Sequence, residues 1–341
     1  KQEDYEVLEK LFEKSKFANQ KGLKSGLVKY LSMIRNIDSN VGDLANFLDT
    51  KGVIDDTIII FLTDNGSTMG KSYFNAGMRG MKTELWEGGH RVPLFIKWKN
   101  GNFKEVGNEV EGLCRVTDIV PTLVELCGLK ISNRSSLKGM SLAPILKGKK
   151  EISKERKLII NYSRMPNFIS YPIPHGQTIL KKEGAVVLWK NWRLLESREL
   201  YNLENDPKQQ LNIYDENPGI VQILDNELDR WWDSVKEDAN EVQRIIIGSS
   251  HENPTNLTAI DWLDVFVDQQ QQISYGARKN SYWCLEVDNA GEYEIELRRW
   301  PKETNASITG VPNTLGGRKA KTHALPITQA SIYIGGLELR S

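Results

Sequence analysis

The 341-residue chain predicts an α/β fold that gives way to antiparallel and then all-β structure towards its C-terminus. Three observations carry this. Thr57 to Leu62 is an unbroken apolar, β-branched run, as expected of a strand buried on both faces of a parallel sheet. Just before it, Leu27, Tyr30, Leu31, Ile34, Ile37, Val41, Leu44, Phe47 and Leu48 keep a helical period. From about Leu158 onward, short strand-like runs and turns replace that alternation. The expected domains are residues 1–155 (α/β), 156–240 (a small antiparallel sheet with one helix) and 241–341 (an all-β domain).

Residues 1 to about 25 are charged and weakly patterned, with Leu8, Leu11 and Phe12 suggesting a short helical turn, so this end is expected to be loosely held. The apolar face of the following helix is expected to lie on a sheet, and Gly52 to close the helix. The Thr57 strand ends in Thr63, Asp64, Asn65 and Gly66, at the edge where open α/β sheets hold their ligands. A Gly-punctuated loop carrying Lys82, Glu87, Gly88, Gly89, His90 and Arg91 leads to a second strand, Val92 to Trp98. Val116 to Leu126 reads as a helix with Thr117 as N-cap, Pro121 in its first turn and Gly128 as its stop. Cys127, on an apolar helix face, is expected to be buried.

Leu158–Tyr162, Ala185–Leu188 and Trp192–Leu195 read as strands, and Val221, Leu224, Leu228, Trp231 and Val235 mark one helix face. Strands followed by a helix, without crossovers, predict an antiparallel sheet carrying that helix. Tyr201 and Asn205 are assigned core and turn roles. Beyond Arg244, Ile245–Ile247, Trp262–Val267, Ile273, Tyr282–Val287, Tyr293–Trp300 and Ser331–Ile334 are expected as short strands, with a hairpin at Asn289-Ala290-Gly291. Trp262 and Trp300 are assigned to the core, with sugar stacking as the alternative, and Arg298 and Arg299 are weak candidates for gripping a sulfate.

Lys plus Arg equals Asp plus Glu at 45 each, so no global field attracts nucleic acid or an anionic membrane, and neither is expected as a partner. No apolar run approaches the ~20 residues that span a bilayer. The three cysteines, Cys114, Cys127 and Cys284, form neither a metal motif nor a disulfide framework. Five N-x-S/T sequons occur, the first of them at Asn65.

Asp64 offers a carboxylate and Asn65 an amide oxygen, hard donors of the kind Ca²⁺ prefers, while Lys82 offers a point charge for an anion. Asp-Asn-Gly is equally a tight turn. The segments TIIIFLTDNG, FNAGMRGMK and WEGGHRVPLFIKW, in that order and preceded by YLSMIRNIDSNVGDLANFLDTKG, resemble the formylglycine-dependent sulfatases of the alkaline-phosphatase-like superfamily. RVTDIVPTLVELCGL, LKGMSLAPILKG and LYNLENDP extend the resemblance. It implies Asp64 and Asn65 as Ca²⁺ ligands and Lys82 as the catalytic contact to the sulfate and its leaving oxygen. His90 fills a variable position of the E-G-G-x-R pattern and is assigned hydrogen-bonded structure.

The family's C/S-x-P-x-R nucleophile motif is absent from the sequence, and its sulfate-binding His should precede the Asp-Asn-Gly strand, whereas His175, His251 and His323 lie far beyond it. The resemblance therefore implies an incomplete alkaline-phosphatase-like sheet with flanking helices. It also implies a formylglycine carried upstream, a chain inactive by itself, an accessory C-terminal β-domain, a sulfated small molecule or glycan as partner, and a periplasmic or extracellular setting. Two alternatives stand beside sulfate-ester hydrolysis: a phosphodiesterase or phosphonate hydrolase of the same superfamily, and a non-catalytic sulfated-glycan-binding protein.

Overall fold

The computed structural model describes residues 2–104, 107, 109–133, 137–162, 182–241, 244–262, 270–276, 281–315, 318–319 and 322–340. The chain divides into two compact units, one of Lys1–Ser163 with Leu180–Glu237 and one built on Asp238–Ser341.

In the first unit, α1 (Gln2–Glu13) is a complete helix rather than a loose turn. Tyr5, Leu8 and Phe12 lie at helical spacing and form a stripe that closes on Leu27 and Val28 of α2 (Lys21–Thr50). Asp4 receives the Arg35 guanidinium at 3.0 Å across the same contact. α2 ends as its sequence predicts. Gly52 adopts φ +69° and donates to the Asp49 carbonyl, and Val53 donates to Leu48, so orphan carbonyls of the last turn are capped.

The remainder of α2 departs from expectation. Leu31, Ile34, Ile37, Val41, Leu44 and Phe47, the face expected to lie on a sheet, are exposed. The strand after it is β1 (Ile59–Leu62), shorter than Thr57–Leu62. It pairs antiparallel, not parallel, with β2 (Leu94–Lys97), from Ile59 opposite Lys97 to Leu62 opposite Leu94. Phe61, Leu62 and Phe95 are exposed. An apolar run states that a strand needs cover, but its neighbours are set by chain segments elsewhere, and among the described residues only β2 pairs with β1. Between these strands lies the single-turn helix α3 (Glu87–His90).

α4 (Ile119–Leu126) is capped differently from the prediction. The residue at its N-terminus is Asp118, not Thr117. The fully buried Asp118 carboxylate accepts the Arg115 and Met140 amides at 3.0 and 2.9 Å and the Arg156 guanidinium at 2.7 Å, fastening α4 to the segment before α5 (Ala143–Leu146). Cys127, expected to be buried, is exposed because it follows the last turn of α4 rather than lying on its inner face.

β3 (Lys157–Asn161), β4 (Ala185–Trp189), β5 (Trp192–Leu195) and β6 (Glu199–Asn202) form the expected antiparallel sheet, in chain order. Alternation sends Ala185, Val187, Leu194 and Leu200 to one face, where they pack on Val221, Leu224 and Leu228 of α6 (Pro218–Asn240). Leu158, Val186, Leu188, Leu195 and Tyr201 form the other face, covered by Leu85, Trp86 and Leu113. Each fully buried leucine contributes about 1.5–3 kcal/mol. The second face thus anchors Leu85 and Trp86, just beyond Lys82.

In the second unit β7 (Ile245–Ile247) and β8 (Leu285–Val287) pair in parallel. Ile273, expected in a strand, belongs to the short helix α7 (Gln270–Ser274). Of the expected strand Trp262–Val267, residues 263–267 lie outside the described residues. β9 (Thr314–Leu315) and β10 (Arg318–Lys319) form a minimal ribbon. β11 (Ser331–Ile334) and β12 (Leu337–Arg340) make a hairpin about Gly335 and Gly336, both in the left-handed region.

The expected Tyr293–Trp300 strand and its Asn289–Gly291 hairpin do not form. Their alternating pattern has no partner edge among the described residues, and Tyr293, Ile295 and Leu297 are exposed. Trp300 is buried, as assigned, with its indole N–H donating to Gly310. Arg299 stacks on Trp300 and donates to the Ser274 and His323 carbonyls, while Arg298 pairs with Glu296. Both arginines are thus engaged by the protein itself.

Candidate active site

The turn after β1 is fastened by backbone. Gly66 donates its N–H to the Gly89 carbonyl at 2.9 Å, and a Cβ on Gly66 would fall 1.8 Å from the Gly88 carbonyl oxygen. Gly88 in turn donates to Arg79 at 2.7 Å, and a Cβ on Gly89 would fall 1.9 Å from the Glu84 carbonyl oxygen. Only glycine permits these approaches. The two glycines of α3 are therefore a hub: the Asp64–Asn65 turn and the segment that carries Lys82 both pack against them.

That second segment is itself ordered. The Asn75 amide nitrogen donates to the Met78 and Gly80 carbonyls at 2.9 Å each, and Glu84 donates to Met81 at 3.0 Å, closing a turn around Lys82. Lys82 is half-buried and, among the described residues, forms no ion pair. Asp64 is exposed, and one of its oxygens accepts the Asn65 amide at 2.9 Å. Asp64 and Asn65 thus stand side by side at one strand end. Among the described residues no hydrogen bond or ion pair joins either of them to Lys82.

Asp64 and Asn65 suit a hard cation in kind but are short in number. Ca²⁺ takes about six to eight oxygens, and among the described residues no three His, Cys, Asp or Glu side chains converge on one point. This turn offers part of a coordination shell.

A frame that sequence reasoning missed holds α3 from behind. The buried Glu87 carboxylate accepts the Arg193 Nε–H at 2.7 Å, and the Glu87 backbone N–H donates to the Gln209 side chain at 2.9 Å. Arg79 stacks on the Trp86 ring with its guanidinium 4.0 Å from the centroid, and donates to the Gln209 carbonyl and the Tyr201 hydroxyl. Arg193 and Gln209 lie more than a hundred residues from Glu87, so no spacing announces these contacts. The one available signal was the density of charge in a stretch that otherwise reads as turn.

His90 is structural, as assigned: its Nε2 lies 3.1 Å from the Leu85 carbonyl, and burial lowers its pKa. The carbonyl requires Nε2 to carry the proton. Tyr201 is buried and donates to Glu199, and Asn205 closes an exposed turn on Asn202.

Comparison with known proteins places this geometry in context. The sulfatase family model matches residues 3–129, and the model for the C-terminal part of N-sulphoglucosamine sulphohydrolase matches residues 81–237. A sulfatase of Formosa agariphila is 25% identical over 252 residues, which is 66% of this chain and 43% of that protein. An N-acetylglucosamine-6-O-sulfatase of Bacteroides thetaiotaomicron is 24% identical over 192 residues, 54% of this chain and 31% of that protein. The crystal structure of Ps i-CgsB in complex with k-i-k-neocarrahexaose superposes with a TM-score of 0.51 at 22% identity, over 61% of this chain and 44% of that one, a likeness of fold. The chain spans less than half the length of these relatives.

Proposed function

Residues 3–237 belong to the sulfatase family, and on that premise we propose that the protein is a sulfuric ester hydrolase acting on a sulfated carbohydrate or an aryl sulfate. One observation carries the reading beyond family likeness. The Gly66–Gly89 hydrogen bond and the Gly88–Arg79 hydrogen bond tie the Asp64–Asn65 turn and the Lys82 segment to the same pair of glycines.

Lys82, half-buried and without a carboxylate partner among the described residues, is suited to attract the sulfate group and to donate to its oxygens. As the ester bond breaks, negative charge grows on the departing oxygen, and an ammonium group beside it lowers the barrier. Asp64 and Asn65 would contribute two oxygens to a Ca²⁺ site. That ion, when bound, supplies further charge stabilisation at the sulfate oxygens.

Residues 1–341 contain no C-x-P-x-R or S-x-P-x-R sequence. We therefore place the formylglycine nucleophile on polypeptide outside these residues, and the 341-residue chain alone is inactive in this proposal, which also includes a periplasmic or extracellular setting. A carbohydrate substrate is supported by the N-acetylglucosamine-6-O-sulfatase relative.

The test is hydrolysis of 4-nitrophenyl sulfate by the 341-residue chain alone, and by a polypeptide that adds a formylglycine-bearing N-terminal segment. The first is expected to be silent and the second active. Lys82→Ala in the active form should lower kcat/KM by about 10²–10³-fold with an unchanged melting temperature. Turnover that is indifferent to Lys82, or Ca²⁺-dependent turnover by residues 1–341 alone, would overturn the assignment.

A further inference from the structure

The loop before Lys82 and the loop after β6 together line a shallow hollow of about 440 Å³, formed by Gly77, Met78, Arg79, Lys208 and Gln210. Both charged residues in that lining are cationic. No carboxylate is among the lining residues, and the nearest by sequence, Asp206, is occupied by the Gln210 and Leu211 backbone amides at 2.6 and 2.8 Å. Glu199, which could otherwise approach through Tyr201, accepts that hydroxyl at 2.7 Å and makes no ion pair with Arg79.

Arg79 is held in place before any ligand arrives. Trp86 stacks against the guanidinium, and Nη1 is committed to Tyr201 and Gln209. A guanidinium has five N–H donors in a fixed plane. Among the described residues Nε and Nη2 have no partner, so three donors remain for an oxyanion. Lys208, exposed and without an ion pair among the described residues, brings a second charge on a movable stem from the facing loop. Each loop also carries a non-glycine residue in the left-handed region, Ala76 (φ 50°) and Gln209 (φ 51°), a backbone cost that ordered sites often retain.

We infer that this hollow is a second anion subsite, built to hold a sulfate group of a sulfated carbohydrate through Arg79 and Lys208, apart from the ester that Lys82 addresses. The inference rests on the sulfatase reading for its ligand class, although binding here needs neither nucleophile nor turnover. It implies a substrate bearing more than one anionic group, with Arg79 and Lys208 determining specificity and taking no part in bond cleavage.

The experiment is calorimetric titration of the 341-residue chain with sodium sulfate, heparin hexasaccharide and an unsulfated hexasaccharide. The heparin fragment is expected to bind at least about tenfold more tightly than sulfate, and the unsulfated sugar not at all. Lys208→Glu, at an exposed position, should weaken heparin binding about tenfold with the melting temperature unchanged, while Lys208→Arg retains it. Arg79→Lys, which keeps the charge but loses the planar fork, should weaken binding less than Lys208→Glu does. Equal affinity for sulfate and heparin, or heparin binding indifferent to Lys208→Glu, overturns the subsite. If binding behaves as expected while the formylglycine-bearing form fails to hydrolyse sulfate esters, the catalytic reading falls and the subsite stands. The reverse pattern removes the subsite alone.

Discussion

Arg193 and Glu87 form a buried ion pair, Nε to Oε1 at 2.7 Å, that joins the central part of the antiparallel sheet to the Gly88–Gly89 hub. Both side chains are almost wholly removed from water, at 6% and 2% exposure. Removing one partner leaves the other buried with its best-placed counter-charge gone, Glu87 keeping the longer 3.6 Å contact to Arg91, a cost of up to about 3–5 kcal/mol. Arg193→Met is therefore expected to lower the denaturant midpoint sharply, and Glu87→Gln to do so comparably. Arg193→Met combined with Glu87→Leu should recover much of the loss, because the desolvation penalty goes with the charges. If the double variant is as unstable as the sum of the singles, the pair is not coupled in this way.

Gly66 and Gly89 lie where a methyl group has no room, 1.8 Å from the Gly88 carbonyl oxygen and 1.9 Å from that of Glu84 respectively. Gly66→Ala and Gly89→Ala should each cost about 1–3 kcal/mol through forced backbone movement. Hydrogen exchange at the Gly66 amide, now bonded to Gly89, should accelerate in Gly89→Ala more than exchange in the β3–β6 sheet. A uniform change across both regions would show that the hub is not a local clamp.

Acid should lower the stability of the first unit over two pH ranges. Burial lowers the pKa of His90 below its ordinary 6.5, so the unfolded chain takes up that proton more readily than the folded one. The stability from keeping His90 neutral is fully present above pH 6.5 and declines as pH falls from there to the lowered folded value. Asp118 follows at lower pH. Burial acts to raise its pKa, but the Arg156 guanidinium and the Arg115 and Met140 amides outweigh that and set it below the ordinary 3.8. Its contribution is present above pH 3.8 and lost as pH falls through the folded value. Urea midpoints measured against pH should flatten below pH 6.5 in His90→Gln and below pH 3.8 in Asp118→Asn. A His90→Gln profile identical to wild type would contradict the first assignment.

Ile34, Ile37 and Leu44 along α2 are 45%, 52% and 51% exposed and make an apolar stripe on the helix surface. The 341-residue chain should accordingly bind the dye ANS in its folded state. Ile37→Glu with Leu44→Glu should reduce that signal severalfold at unchanged helical circular dichroism, since both side chains are exposed and belong to no core cluster among the described residues. Loss of helix in the double variant would mean that the stripe is needed within this chain.

Local signals in the sequence sufficed for some elements. The helical period of α2, its Gly52 stop, the alternation in β4 and β5 and the face of α6 each follow from residues close together in the chain, because backbone geometry dictates which neighbours share a side. Asp64, Asn65 and Lys82 were legible as residue types at a strand end and in a Gly-rich loop, and the roles proposed for them rest on the family resemblance. Tertiary structure alone decided that β1 pairs antiparallel with β2, that Tyr293–Trp300 is no strand, and that Glu87, Arg193, Gln209 and Arg79 form the frame behind the site. Pairing partners and buried charges depend on which distant segments meet, and that is settled by the packing of whole faces rather than by any period within one segment.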